Sequence, residues 1–569
     1  MTTQPRGQRP QTADLEDPLY YLRNMDTVVS WVADHHWDLL TADERSRLDN
    51  FFVLSTAARG LLTRMVMRTG ELFRVDKLNY PELPGSMADA LAELTDSKWL
   101  ETSPMLGIED LFRLFTLAEL RPVFANLLMT DLGLPKNLPK ARMREVLTEH
   151  FPEPKRLHEW LGDDAPALVR LRDMPLFDRT RLMFFGNLRQ SWTDFVLVEL
   201  GYQQYEQVTF SPDSRAFHQR ADVDCYLQMH QCRQWLDEGA AAVEVWPEVP
   251  GPLDNPWLAS RRDRLLLELG RQAERQGERE LALEVLAASN HREARLKQLR
   301  LLERMKRFGE AWEIARHWHT GDLSDAEAQG MARILKRLAA KMGEAPPMVE
   351  TPPPIREFTL TLQKPEIASV ELAAQQHLET DEAPVFYVEN TLINGMFGLL
   401  CWRTIFAAIP GAFFHPFHVG PADLMREDFV ERRQQAFDQS IALLRGGDYR
   451  QRILETWHVK QGITNPFVVW PVLSEDLLTM AMDCIPASHL ERLFERLLHN
   501  LKEHRSGFPD LIRFYPGAAG PGPRYEMIEV KGPGDRLQDH QRRWLAFFAR
   551  EGMPASVCYV SWQTDEASP

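Results

Sequence analysis

The sequence predicts a multidomain protein that is mostly α-helical through its N-terminal and middle regions and ends in an α/β domain. Three observations carry that expectation. At 569 residues the chain exceeds what one hydrophobic core holds. From 221 to 342 little besides short Gly/Pro turns interrupts helical patterning. Residues 487–562 read as helix, strand, strand, helix, strand, the mark of a sheet covered by helices.

Composition narrows the class without naming a function. With 44% hydrophobic and 26% charged residues the chain has the balance of a soluble globular protein. A net charge of −16 argues against nucleic acid as a partner of the whole surface, so any such binding must use local basic patches. The five cysteines, Cys225, Cys232, Cys401, Cys484 and Cys558, form no C-x-x-C pair, and no Cys/His set has zinc spacing. A reducing cytoplasm is the expected compartment. Residues 1–13 are polar and lack the apolar core of a signal peptide or anchor. The apolar run 391–414 is interrupted by Arg403 and Pro410 and reads as a buried helix, so no membrane partner is expected.

Taken in order, a tail at 1–13 is followed by a helical region, 14–104, in which Arg59, Arg64 and Arg68 could track a phosphate backbone or form the solvated side of amphipathic helices. Residues 105–219 form a second module and connector. Within it 108–151 reads as helix, helix, extended loop, helix, with Thr116 and Glu119 as a capping box. Lys136, Lys140, Arg142 and Arg144 gather around the loop, a pattern that resembles small SAP or winged-helix DNA-binding modules. The aromatic stretch from Leu182 reads as core.

Residues 220–344 are expected to form tetratricopeptide-like helical repeats. Leu269, Gly270, Ala273, Ala282 and Leu286 fit one helical pair, and Phe308 to Ala315 a degenerate second copy. A basic cluster, including Arg292, Arg295 and Arg300, lies between 291 and 307; a solvated helix face is the plainer reading of such a run. The segment 345–355 is a proline-rich linker. After it come the C-terminal domain, 356–562, and a tail, 563–569.

The chemistry concentrates in 507–541. Asp510 opens a short apolar run, and Glu529 and Lys531 stand two apart in Tyr-Glu-Met-Ile-Glu-Val-Lys. Period-two geometry puts Glu529 and Lys531 on one face of a strand and sends Ile528 and Val530 to the other. The Gly/Pro-rich segment 516–523 cannot hold a helix or central strand, which predicts a hairpin with a long loop. Two carboxylates and an ammonium then converge. Such a pair suits Mg²⁺ or Mn²⁺ together with phosphate oxygens, and the lysine can orient water and offset charge. Each piece alone is common: Glu-x-Lys is an ordinary surface pair, and Pro-Asp an ordinary turn.

Two further residues join by position. A helix is expected from about Val388 through Trp402, placing Glu389 on its buried face among Leu392, Ile393, Met396 and Phe397. A carboxylate there is costly unless paired or holding a metal, whereas a first-turn Glu is also favoured by the helix dipole. The two readings balance. A second helix, 536–550, with Asp535 and Gln538 as capping box, puts Gln541 in an inward slot.

The run Pro509-Asp510, Glu529-Val530-Lys531-Gly-Pro-Gly-Asp-Arg-Leu and Gln541 resembles the VRR-NUC branch of the PD-(D/E)xK nucleases. Upstream, Val388-Glu-Asn-Thr-Leu-Ile-Asn-Gly-Met-Phe-Gly, Thr456-Trp-His and Tyr20-Tyr-Leu-Arg-Asn resemble the Fanconi-associated nuclease family over nearly the whole chain, from about 14 to 562. The resemblance implies a C-terminal α/β nuclease domain and a metal-dependent, structure-selective deoxyribonuclease. It would cut 5′ flaps and branched DNA, degrade 5′ to 3′, and act in interstrand crosslink repair. It further implies Glu389, Asp510 and Glu529 as metal ligands, Lys531 as catalytic lysine and Gln541 in support, which tips Glu389 toward the metal. A Holliday-junction resolvase or restriction-like enzyme is the enzymatic alternative; a DNA-bound helical scaffold with an inactive nuclease fold is the other. Eukaryotic members carry a ubiquitin-binding zinc finger that no Cys/His set here could build. A bacterial protein, cytoplasmic and nucleoid-associated when on DNA, is the natural expectation, with other repair proteins as further partners.

Overall fold

In the computed structural model, residues 17–190, 192, 203–319, 323–345, 353–364, 369–520 and 522–563 are described. The expected tail at 1–13, most of the proline-rich linker (346–352) and 564–569 lie outside them. The chain divides into two compact units, Met1–Tyr202 with Phe217–Val223, and Gln203–Ala216 with Asp224–Pro569.

The first unit begins with the helices Tyr20–His36, Ala42–Val53 and Thr56–Val66. Thr41 and Glu44 cap the second reciprocally, which is why it starts there. Strands β1 (Leu72–Arg74) and β2 (Leu100–Thr102) flank β5 (Leu168–Leu171) in an antiparallel sheet, and β3 (Met105–Leu106) pairs with β4 (Lys155–Arg156). Between β3 and β4 run the helices Ile108–Leu114, Leu117–Asn126 and Lys140–His150, the expected helix, helix, loop, helix. The Thr116 capping box with Glu119 is present. Leu106, Leu111, Leu120 and Leu147 are fully buried beneath these helices. The Leu182–Phe185 stretch is buried core as well.

In the second unit the consecutive helices Pro256–Arg275, Arg279–Ala287, Arg292–Arg304, Phe308–His319 and Asp325–Met342 each pack on the next. Gly270 shows why the first pair crosses closely: a Cβ there would fall 2.7 Å from Leu286 Cγ. The proline-rich stretch separates these helices from the sheet in sequence, yet both belong to one compact unit. Asp325 accounts for part of that, meeting Arg496 at 2.6 Å and His504 at 3.3 Å.

The sheet has five strands: β6 (Arg356–Leu362), β7 (Val385–Tyr387), β8 (Leu511–Phe514), β9 (Tyr525–Lys531) and β10 (Ala555–Trp562), in the order β6-β10-β9-β8-β7. β10 runs parallel to both β6 and β9, whereas β8 is antiparallel to β9 and β7. The long-looped hairpin expected at 507–541 is therefore the β8–β9 pair. Alternation sorts its side chains. Ile512, Phe514, Tyr525 and Met527 bury against Trp544 and Phe548 on one face, and Leu511, Ile528 and Val530 pack with Val385, Cys558 and Val560 on the other. Among the described residues no helix is long and apolar enough to cross a membrane.

Two helix boundaries differ from expectation. The apolar helix is Leu392–Leu400, followed separately by Trp402–Ile405, because Asn390 adopts a left-handed φ of 53° and stops the helix from reaching back to Val388. Glu389 accordingly sits in a turn, half-buried, and not on a buried helix face. The last helix is Asp539–Arg550, three residues later than expected; its capping box joins Gln538 to Gln541, and Asp535 instead accepts from Gly532 N at 3.1 Å.

Candidate active site

The β8–β9 register places Leu511 opposite Ile528, so the next pair outward is Asp510 opposite Glu529. Asp510 is fixed from two sides: its Oδ2 accepts from Val530 N at 2.8 Å, and its carbonyl accepts from Val388 N at 2.9 Å. Glu529 is 0% exposed, Asp510 7% and Lys531 8%. Lys531 Nζ stands 2.6 Å from Glu529 Oε1 as an ion pair, and beyond that contact neither oxygen of Glu529 has a hydrogen-bond donor. An otherwise unsatisfied carboxylate at this depth is the donor a hard cation would complete.

Electrostatics follow from that burial. Loss of solvent pushes the Glu529 carboxyl up to about 7, the charge of Asp510 adding to the effect and Lys531 opposing it. Burial likewise raises Asp510 to about 6 against the pull of Val530 N–H and Lys531. Glu389 adds to the rise of both, so its charge is felt at the pair. Its own oxygens are engaged: Oε2 accepts from Tyr387 O–H at 2.6 Å and Oε1 from Asn390 Nδ2 at 3.0 Å. Among the described residues no three His, Cys, Asp or Glu side chains stand as a ready-made metal shell.

Gln541 spends its side-chain carbonyl on its own helix, accepting from Gln538 N at 2.9 Å. That helix is fastened to the Asp510 segment. Trp544 Nε1 donates to Ser506 O at 3.0 Å and its ring lies over Phe508, centroids 3.9 Å apart. Gly507, with φ of 91°, makes the approach possible: a Cβ would meet His540 Cδ2 at 2.5 Å. Sequence reasoning missed Tyr387, Asn390, Asn394, Gly507 and Trp544 as supports of the site. A signal existed for Asn394, a polar residue inside an otherwise apolar helix.

The basic candidates are more neutralised than their sequence suggested. Arg59 pairs with Asp26 (2.9 Å), Arg64 with Glu82 (2.7 Å), Arg142 with Glu145 (2.7 Å), Arg144 with Glu109 (3.4 Å) and Arg292 with Glu427 (3.2 Å). The 291–307 run is not a bare basic face. Lys297 and Arg304 meet Glu274, and Arg307 meets Glu280 and Glu310, acids that the fold delivers largely from neighbouring helices. Arg295 is half-buried on that helix. Arg68 is exposed beside the Tyr80 ring, and Lys136, Lys140 and Arg300 are exposed without an ion pair among the described residues.

Three family models match the chain: the VRR-NUC domain over 445–562, the "FAN1, HTH domain" over 19–101, and the Fanconi anemia-associated nuclease SAP domain over 105–160. The carboxylate pair and lysine on the hairpin of the mixed sheet lie inside the first of these, which places the chain in the VRR-NUC class of nucleases. The chain is 46% identical over 554 residues to the Fanconi-associated nuclease 1 homolog of Pseudomonas aeruginosa, covering 97% of each. It belongs to the Fanconi-associated nuclease family. Fanconi-associated nuclease 1 of Homo sapiens is 22% identical, over 95% of this chain and 62% of its own length, and the Oryza sativa homolog 24% over the same shares. A solved structure described as paFAN1 bound to 2nt 5′flap DNA with gap superposes with a TM-score of 0.82 at 46% identity, covering 97% of this chain and all 100% of that one.

Proposed function

We propose that the chain is a Mg²⁺- or Mn²⁺-dependent, structure-selective deoxyribonuclease that cuts 5′ flaps and branched DNA and degrades 5′ to 3′, in interstrand crosslink repair. The observation that carries the chemistry is the Asp510–Glu529 pair, buried, opposed and short of donors at Glu529. The 5′-flap complexes of the 46%-identical relative support the substrate.

Asp510 and Glu529, with Glu389, would hold the cation. When bound it makes a water more acidic and neutralises charge developing on the phosphoryl group. Lys531 presents its ammonium beside the pair, where it orients an attacking water and offsets the same charge. Gln541, its carbonyl committed to the helix start, keeps an amide NH₂ with which to hold a ligand oxygen. Arg68, Lys136, Lys140 and Arg300 are assigned to DNA phosphates. Arg59, Arg64, Arg142, Arg144, Arg292 and Arg295 join them where phosphate replaces their present partners.

Labelled 5′-flap, 3′-flap, four-way and linear DNA, each incubated with Mn²⁺ or with EDTA, test this directly. Cleavage of the 5′ flap only with the cation is expected. Preference for four-way junctions would make the protein a resolvase, and no cleavage of any substrate would leave a DNA-bound scaffold. Flap affinity should also fall roughly 10³-fold between 50 and 200 mM salt if about six phosphates are contacted. A flat response in a salt titration would remove the basic residues from the interface.

A further inference from the structure

We propose that Asn390 is a positioning residue for the candidate cation site, acting through Glu389; this rests on the reading of Glu389 as one of the groups that hold the cation. Glu389 reaches the site from outside the hairpin, on a turn separated from Asp510 by more than a hundred residues of chain. Something must fix that turn against the segment leading into Asp510. Asn390 does so with both ends of its amide: Nδ2 donates to Glu389 Oε1 at 3.0 Å, and Oδ1 accepts from Phe508 N at 3.2 Å. One planar group therefore ties the carboxylate to a backbone position two residues before Asp510.

The backbone makes the same connection. Asn390 sits at φ 53°, a conformation few side chains tolerate and asparagine tolerates best. Its carbonyl accepts from Asn394 Nδ2 at 2.7 Å, and that same nitrogen donates to Arg505 O at 2.8 Å. The turn is thus held to 505–508 by two asparagines, and to Asp510 itself by the Val388 N–H.

What this does for Glu389 follows from carboxylate chemistry. Each oxygen has two lone pairs; Asn390 occupies one on Oε1 and Tyr387 one on Oε2, which leaves one on each for a cation. The side chain is oriented without being exhausted. Groups that orient metal-binding side chains in this way typically change affinity 10–100-fold when removed.

Asn390→Gly isolates the side chain, because glycine takes the left-handed conformation without strain. Mn²⁺ binding to the metal-free, full-length chain, read by titration calorimetry without DNA, is compared for wild type, Asn390→Gly, Glu389→Gln and the double variant. Asn390→Gly should weaken Mn²⁺ by roughly 10-fold or more, Glu389→Gln comparably, and the double variant no more than Glu389→Gln alone. Wild-type affinity in Asn390→Gly, or losses that multiply in the double variant, would overturn the proposal. Unchanged Mn²⁺ affinity in Glu389→Gln would instead remove Glu389 from the site, and the proposal with it. Asn390→Asp, which tolerates the left-handed turn and keeps the acceptor for Phe508 N but loses the donor to Glu389 Oε1, serves if Asn390→Gly does not fold. It should also weaken Mn²⁺, and wild-type or tighter affinity there would overturn the proposal.

Discussion

Replacing Asp510 with alanine is expected to lower cleavage of 5′-flap DNA by about 10³-fold or more while leaving binding of the flap nearly unchanged. The position explains the asymmetry. Asp510 stands opposite Glu529 at the mouth of the β8–β9 hairpin, and together they form the buried carboxylate pair. The residues assigned to DNA phosphates lie on other elements and keep their charges. Alanine also removes the acceptor of Val530 N–H, so the loss could be structural. Asp510→Asn separates the two effects: the amide oxygen still accepts that N–H and the volume is kept, but the anionic donor is gone. Cleavage by Asp510→Asn near the wild-type rate would sink the assignment, as would equal loss of cleavage and binding in Asp510→Ala with the asparagine variant unharmed.

Glu529→Gln is expected to do two opposite things: abolish cleavage, and raise the melting temperature of the cation-free protein at pH 8. The folded protein holds the Glu529 proton up to about pH 7, against 4.5 for an unperturbed glutamate. Between those values the folded state binds more protons than the unfolded chain, so stability falls as pH rises through the window. At pH 8 the folded protein carries the full penalty of a buried anion. Glutamine removes it. Stranding Lys531 works the other way, since its ion-pair partner is lost. The neighbours decide between them: Asp510, whose carboxyl already feels the Lys531 charge, remains beside the ammonium after the substitution, and the glutamine oxygen can still accept from it. Thermal melts of both proteins at pH 5.5 and 8, in EDTA and in Mn²⁺, read the effect. Wild type should lose stability on going to pH 8 in EDTA and regain it with Mn²⁺; the variant should lose less, since only Asp510, which burial raises to about 6, still gives up a proton in that window, and should regain less with Mn²⁺. A lower melting temperature for the variant at pH 8 in EDTA would show that Lys531 already compensates Glu529.

The hairpin was legible because period-two alternation is local. Ile528 and Val530 had to face one way and Glu529 and Lys531 the other, and the register of β8 against β9 delivers Asp510 to the same place. Glu389 was legible only through family resemblance. Its apolar neighbours keep helical spacing straight through the turn, and the left-handed Asn390 that ends the helix leaves no mark in that spacing. The start of the last helix slipped by three residues because Asp535-x-x-Gln538 matches the sequence signature of a capping box, whereas in the fold Gln541 accepts from Gln538 N and Asp535 turns to Gly532 N. The basic run at 291–307 was least legible of all. Part of what determines whether those cations are available is Glu274 and Glu280, which approach from other helices.

The face of β9 that carries Glu529 and Lys531 also carries Tyr525 and Met527, which are packed beneath Trp544 and Phe548. The candidate site and the hydrophobic core are therefore successive rungs of one ladder, with no intervening loop to absorb a mismatch. Sequence drift in this protein is constrained accordingly. A change in size at Met527 or Trp544 moves the rung above it, so such positions can vary only in company with a compensating neighbour. A loop-borne site could have been retuned one residue at a time; this one has to be retuned together with the interior that supports it.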